Sequence, residues 1–302
     1  MVDPAPLVVV TGANGLVGRA VCRALAARSA RVRAVVRRPG TAPALPGVTE
    51  HVGDPADAAC TRSVVEGADA VVTTVHPMGS PREEQHRVGV AGTAALARAA
   101  RDAGVARLVH LSTAGVHERG PGVGDVAEDG ALLPHGSGDY PDTKKAAERA
   151  LAEVGGLTTV LVRPPAILGA GDTSVWNTLR PRALRDGRRR ENPARSWPWV
   201  HVDDLAALVA GVAAGAVATA DDPRRGPVAG GTTAVLVAGE PATWGDYLGT
   251  VCGALGVEPE WTDEPVWTGR LRTDRARGWG WSPRVPLAQA LDELRRGLAP
   301  RG

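Results

Sequence analysis

Short runs of β-branched residues, each closed by a Gly or Asp turn and followed by an Ala-rich stretch, repeat through the first half of the chain. Leu7 to Thr11, Val32 to Val36, Val48 to Val52, Ala70 to Val75, Arg107 to Ser112 and Thr158 to Val162 read as strands. Segments beginning near Gly15, Ala56, Arg82 and Tyr140 read as helices. Strands that are apolar from end to end must be covered on both faces, so the pattern calls for a parallel sheet between two helix layers. The expected fold class is α/β, a Rossmann-type doubly wound parallel sheet. Its ligand belongs at the C-terminal ends of the strands.

After Pro164 the rhythm breaks, and Pro, Gly, Arg and Trp become frequent, with all eight Trp at or beyond position 176. The strand-like run Ala234 to Val237 and the helical stretches Trp244 to Leu255 and Leu287 to Leu298 predict a smaller C-terminal lobe. Because Val200 to Gly215 still reads as core, that lobe is discontinuous. The expected division is a dinucleotide-binding domain at 1–165 plus about 198–218, and a substrate-binding lobe at about 166–197 and 219–302.

Composition removes several classes. A chain of 302 residues with 43% hydrophobic and 23% charged residues and a net charge of +2 is neither disordered nor fibrous. The N-terminus lacks a basic segment followed by a long apolar run, so no signal peptide is expected. Leu205 to Ala220 is uncharged but shorter than the roughly 20 residues a bilayer span needs, and reads as a buried helix. Cys22, Cys60 and Cys252 are far apart with no CxxC spacing. They predict free thiols, a reducing cytoplasmic setting and no metal site.

The first strand runs into Thr11-Gly12-Ala13-Asn14-Gly15-Leu16-Val17-Gly18 and then a helix. Glycines at 12, 15 and 18 allow a tight turn, close approach to a pyrophosphate and close helix packing, while the helix N-terminus offers free amides. Gly12, Asn14, Gly15, Leu16 and Val17 are therefore candidate cofactor contacts. At the end of the second strand stand Arg37 and Arg38 with no acid. A carboxylate there suits the ribose hydroxyls of NAD, whereas a guanidinium suits a 2′-phosphate, so NADP is expected over NAD. Asp54 and Pro55 end the third strand, where Asp54 could accept from the adenine amino group or cap the next helix.

Composition sharpens the next motif, Tyr140-Pro141-Asp142-Thr143-Lys144. The chain holds only two Tyr and two Lys, against 33 Arg, so one Tyr and one Lys four apart are not a chance spacing. On a helix they share a face. A phenol with an ordinary pKa near 10 works as an acid or base at neutral pH only if a nearby cation stabilises its phenolate. Lys144, together with the positive nicotinamide of the oxidised cofactor, is the expected source of that charge. Thr113, with Ser112 as second candidate, lies at the end of the fifth strand, where a hydroxyl can orient a substrate carbonyl; the plainer reading is that both satisfy strand-end backbone groups.

TGANGLVG, the strand-five STAGVHE, YPDTK, RPPAILGAGD at Arg163 to Asp172, HVDDLA at His201 to Ala206 and TDRARGWGWSPRVPL at Thr273 to Leu287 occur in one order. In that order and spacing the chain resembles the extended short-chain dehydrogenase/reductases, the group of NAD(P)-dependent epimerases and dehydratases. The resemblance spans nearly the whole chain. It implies that Thr113, Tyr140 and Lys144 form the catalytic triad, that Thr74, Val75, Pro164 and Ile167 line the cofactor, and that the helices around 82–101 and 140–153 pair two copies in a homodimer.

Departures narrow the reaction. Dehydratases of that group carry an acid just after the catalytic Thr, where this chain has Ala114 and Gly115. Sugar-nucleotide epimerases carry an Asn after the strand-six Arg and a longer insert before the HVDD motif; here RPPAIL has no Asn. The expected activity is an NADPH-dependent carbonyl reductase or alcohol dehydrogenase on a small to mid-sized metabolite. The rivals are a sugar-nucleotide epimerase with retained NAD and a non-catalytic NADP-binding redox sensor. Seven Arg between 180 and 195 read as a solvated helix face, with an anionic substrate as the alternative. Near-neutral charge and the lack of a groove-reading motif exclude nucleic acid. His201, Asp203 and Asp204 read as structural, with Asp204 capping the next helix, and Trp176, Trp197 and Trp199 read as core, a stacked aromatic substrate being the alternative.

Overall fold

The computed structural model describes residues 5–77, 79–171 and 174–298. Asp172, the last residue of the RPPAILGAGD segment, and the start of the N-terminal segment lie outside them. The first half alternates as its periodicity requires: β1 (Leu7–Thr11), α1 (Leu16–Ala26), β2 (Arg31–Val36), β3 (Val48–Val52), α2 (Ala58–Val65) and β4 (Ala70–Thr73). A continuous helical run follows, from α3 (Arg82–Glu84) through a π-helical stretch (Gln85–Gly92) into α4 (Thr93–Asp102). Then come β5 (Arg107–Leu111), α5 (Asp139–Ala152) and β6 (Thr158–Arg163).

The second half is more broken. It contains β7 (Ala166–Leu168), α6 (Leu179–Arg185), β8 (Arg190–Glu191), β9 (Trp199–His201), α7 (Val202–Ala213), β10 (Thr232–Leu236), α8 (Trp244–Leu255), β11 (Glu260–Trp261), α9 (Asp274–Gly278) and α10 (Leu287–Leu298).

Seven strands form one sheet in the order β10-β6-β5-β4-β1-β2-β3, and every pair is parallel. The chain order reverses between β1 and β4, which opens a crevice above their C-terminal ends. On one face Val8, Val10, Val21 and Leu25 pack with Leu205, Val209 and Val212 of α7. On the other, Val9, Val71 and Leu108 meet Val64, Leu96, Ala100 and Leu151. A third core joins Leu168, Trp197, Trp199, Trp244, Tyr247, Leu248 and Leu294. Helix α7, which takes in the first part of the uncharged stretch that starts at Leu205, is buried nearly throughout, and among the described residues no helix is long and apolar enough to cross a membrane.

Three expectations need correction. Residues 232–236 are not part of a separate lobe; β10 pairs in parallel with β6 at the sheet edge. The segment carrying Trp279 and Trp281 also belongs to the sheet domain. Both rings pack into its core, and their indole N–H groups donate to the carbonyls of Pro223 and Asp204 at 2.9 and 2.8 Å. Nor is Asp204 a helix cap. The ring of His201 caps α7 by accepting from Asp203 N, while Asp204 Oδ2 accepts from the backbone N–H groups of Arg284 and Val285.

The β1–α1 turn depends on two glycines. Gly12 has φ +70°, and a Cβ there would sit 2.7 Å from Thr74 Oγ1. A Cβ on Gly18 would collide with the carbonyl oxygen of Gly12. Backbone cannot yield as a flexible side chain can, so Gly18→Ala should cost about 2–3 kcal/mol. Urea unfolding of the variant beside the parent checks this; an unchanged midpoint would contradict the close packing.

Candidate active site

A cavity of about 1090 Å³ runs along the C-terminal ends of the strands. It is lined by Gly12, Asn14, Gly15, Leu16, Val17, Arg37, Arg38, Asp54, Pro55, Thr74, Val75, Thr113, Tyr140, Lys144, Pro164 and Ile167. Every residue singled out from the sequence as a catalytic or cofactor contact therefore borders the same space.

At one end, β1 delivers the chain into the glycine turn, and no side chain caps or charges the first turn of α1. Its N-terminal amides and positive dipole end stay available for an anion. Thr74 Oγ1 braces the turn by donating to the carbonyl of Thr11 at 2.8 Å. The neighbouring loop is fixed by Glu50, whose carboxylate accepts from Gly40 N at 2.9 Å and Ala42 N at 3.0 Å. That loop presents Arg37 and Arg38, both exposed; neither guanidinium makes an ion pair among the described residues. Asp54 does not cap the next helix. Its Oδ1 accepts from Ala56 N in a local turn, and Asp57 caps α2.

In the middle of the cavity, α5 begins one residue before Tyr140, which puts Tyr140 and Lys144 on one face of its first turns. Lys144 is 3% exposed and its ammonium donates to the carbonyl of Leu111 at 2.6 Å. Burial pulls its pKa from 10.5 down to about 8, against the opposing pull of Glu148. Burial moves the Tyr140 phenol the other way, above 10, and a hydrogen bond with the Thr113 side chain only partly offsets this. With the ammonium engaged by Leu111, burial sets the direction of the phenol shift. Ser112 is engaged elsewhere, since its hydroxyl donates to Glu148 at 2.5 Å. Thr113 Oγ1 accepts from Gly115 N at 3.0 Å.

Several residues here were not found from sequence. Arg163, from β6, grips Glu148 of α5 through two bonds of 2.9 and 2.7 Å, and both are buried. Its other arm donates to His117 Nε2 at 3.0 Å. Glu148 stands four residues beyond Lys144, so helical spacing would have put it on the same face. His76 meets Tyr140 edge to face with ring centroids 5.0 Å apart. Burial, then the charge of Lys144, holds its pKa down at about 4, so it is a neutral wall. No local motif marks it. Lys145 and Tyr247 also gain roles. Lys145 bonds the carbonyls of Leu133 and Pro134 and pairs with Asp142 at 3.1 Å; the fully buried Tyr247 donates to Trp176 O at 3.0 Å.

A family model described as NAD(P)H-binding matches residues 12–223. The chain is 32% identical over 295 residues to the 4-hydroxy-2-methyl-3-oxo-4-farnesyl-3,4-dihydroquinoline-1-oxide ketoreductase of Stigmatella aurantiaca, covering 93% of this chain and 82% of that one. The chain belongs to the extended short-chain dehydrogenase/reductases. Within this family it is also 34% identical over 192 residues to the 2-alkyl-3-oxoalkanoate reductase of Stenotrophomonas maltophilia, but the match covers 61% of this chain and 57% of that relative. The Bordetella bronchiseptica enzyme WbmH, solved in complex with NAD+, shares the fold with a TM-score of 0.78 at 22% identity, covering 97% of this chain and 98% of that one. The protein is an NAD(P)-dependent oxidoreductase of that family.

The buried ammonium has a measurable signature. Because the folded pKa of Lys144 lies below its unfolded value, the unfolded chain binds more protons above pH 8, and stability rises with pH there. Relative to Lys144→Met, the parent should gain about 2 kcal/mol between pH 8 and pH 10. Paired denaturant titrations read this directly; a pH-independent difference would show that Lys144 keeps its ordinary pKa.

Proposed function

We propose that the protein is an NADPH-dependent carbonyl reductase. The carrying observation is that Thr113, Tyr140 and Lys144 border the same cavity as an uncapped helix N-terminus and Arg37 and Arg38, which make no ion pair among the described residues. The residues fit a dinucleotide: Gly12 and Gly18 leave no room for side chains where a pyrophosphate would approach, and the α1 amides would receive it. Arg37 and Arg38 would hold a 2′-phosphate. WbmH was solved with NAD+, so the phosphate preference rests on this chain's own loop.

A bound nicotinamide would supply hydride. The protein's part is to hold the carbonyl and deliver a proton. Thr113 and Tyr140 would grip the carbonyl oxygen, and Tyr140 would pass its phenolic proton to the developing alkoxide. A buried phenol with a raised pKa stays protonated at neutral pH, which is the form a proton donor needs. Lys144 would hold ribose hydroxyls and, freed from Leu111, lower the cost of the phenolate. Ala114 follows Thr113 where a dehydratase would need an acid. The two relatives whose names describe keto reductions support the reductive direction.

Tyr140→Phe removes the proton donor and leaves the dinucleotide end intact. Turnover with NADPH and a ketone should fall at least about 100-fold, while the dissociation constant for NADPH moves less than about threefold. Unchanged kcat would refute the role of Tyr140, and tighter binding of NADH than NADPH by the parent would refute the choice of cofactor.

A further inference from the structure

The far end of the cavity carries an unbalanced charge. Arg119, on the loop after β5, and Arg195, before β9, both line it, together with Trp176, Trp197, Trp244 and Trp267. Arg195 pairs with Glu191 at 3.2 Å, but that carboxylate also serves Arg180 at 3.6 Å. Arg119 has no acidic partner among the described residues; its guanidinium lies over the Trp267 ring, 5.6 Å from the centroid. The acids that line the cavity, Asp54 and Glu84, stand by the β3 end and α3, with Arg87 pairing both. Burial and then the nearby charge of Arg195 pull the Arg119 pKa below its ordinary value, as expected for a cation short of both water and a counter-ion.

Two further observations give this end a shape. Trp267 is 3% exposed and its indole N–H is fixed on the carbonyl of Gly124 at 2.9 Å, so the surface under Arg119 is rigid. Trp197 is 2% exposed and borders the cavity, yet its indole N–H has no acceptor among the described residues. It stacks on Tyr247 at 4.4 Å, with Trp176 set edge-on to both at 5.3 Å. An apolar aromatic wall therefore stands beside two guanidinium groups and an orphan donor.

We infer that this end is a carboxylate subsite, in which Arg119 and Arg195 receive an acid group carried on an apolar or aromatic oxo compound. The inference rests on the reductase reading and names its substrate class. Arg119 has no acid beside it among the described residues, and a carboxylate can take its guanidinium through two parallel bonds. Trp176 and Trp197 would flank the apolar body.

The test compares 3-oxo-3-phenylpropanoate and 4-oxo-4-phenylbutanoate with their methyl esters, using the protein saturated with NADP+ or NAD+, whichever it holds. Dissociation constants come from quenching of tryptophan fluorescence. At least one acid should bind at least tenfold tighter than its ester, and Arg119→Gln should bring that ratio near one. Arg119→Lys should keep part of it, which guards against a variant that fails to fold. A ratio near one in the parent, or a full ratio in a folded Arg119→Gln, overturns the subsite. Cofactor consumption with the same compounds separates the two ideas. Preferential binding of the acids without reduction of any compound sinks the reductase and leaves the subsite; reduction of esters in preference to acids does the reverse.

Discussion

A single buried carboxylate, Glu148, ties together the elements on which the catalytic centre stands. It takes the Nε and Nη2 N–H groups of Arg163 from β6, the hydroxyl of Ser112 from the end of β5, and lies one helical turn beyond Lys144. Buried ion pairs add little net stability compared with apolar packing, because desolvation nearly cancels the attraction. Their value lies in the cost of misplacement: losing one partner strands the other, at about 3–5 kcal/mol. That penalty forbids small slips of α5 against the sheet. The position of Tyr140 and Lys144 relative to Thr113 is thereby fixed by a contact outside the reacting groups.

The cavity is divided by chemistry as well as by shape. Its first end is built from backbone, with glycines and free amides, and the charges there are the exposed Arg37 and Arg38 together with Asp54 and Glu84, which Arg87 pairs. Its far end is built from large rings and half-buried arginines short of acids. Between them the titratable groups are pushed toward forms that carry no excess charge: His76 neutral, the Tyr140 phenol protonated, Lys144 only marginally cationic at pH 8. Burial does this to all three, and it makes the centre responsive to any charge brought beside it.

Much of the architecture could be read from sequence because its signals are local. Continuous apolar strands, glycine spacing and the four-residue Tyr–Lys interval each act within one or two turns of chain, and the structure shows the corresponding strands, turn and helix. What sequence missed depends on contacts between distant segments. β10 is separated from the helix before it, α7, by residues 214–231 and from β6 by all the elements from β7 to α7, so its pairing with β6 left no trace in the alternating pattern. Asp54 and Asp57 are chemically equivalent cap candidates three residues apart, and only the helix start distinguishes them. Asp204 looked like a cap, but its acceptors serve a segment eighty residues later. His76, Arg119 and Arg163 meet their partners across at least fifteen residues, beyond the reach of any helix or strand periodicity.

The most direct measurement of the central claim follows the hydrogen itself. NADPH deuterated at both C4 positions would be incubated with the protein and an aromatic oxo acid, and the alcohol examined by mass spectrometry and proton NMR. One deuterium should appear on the carbinol carbon of each product molecule, with release of free NADP+ in equal amount. A product without deuterium, or a cofactor that stays bound in its original redox state through many turnovers, would contradict that claim.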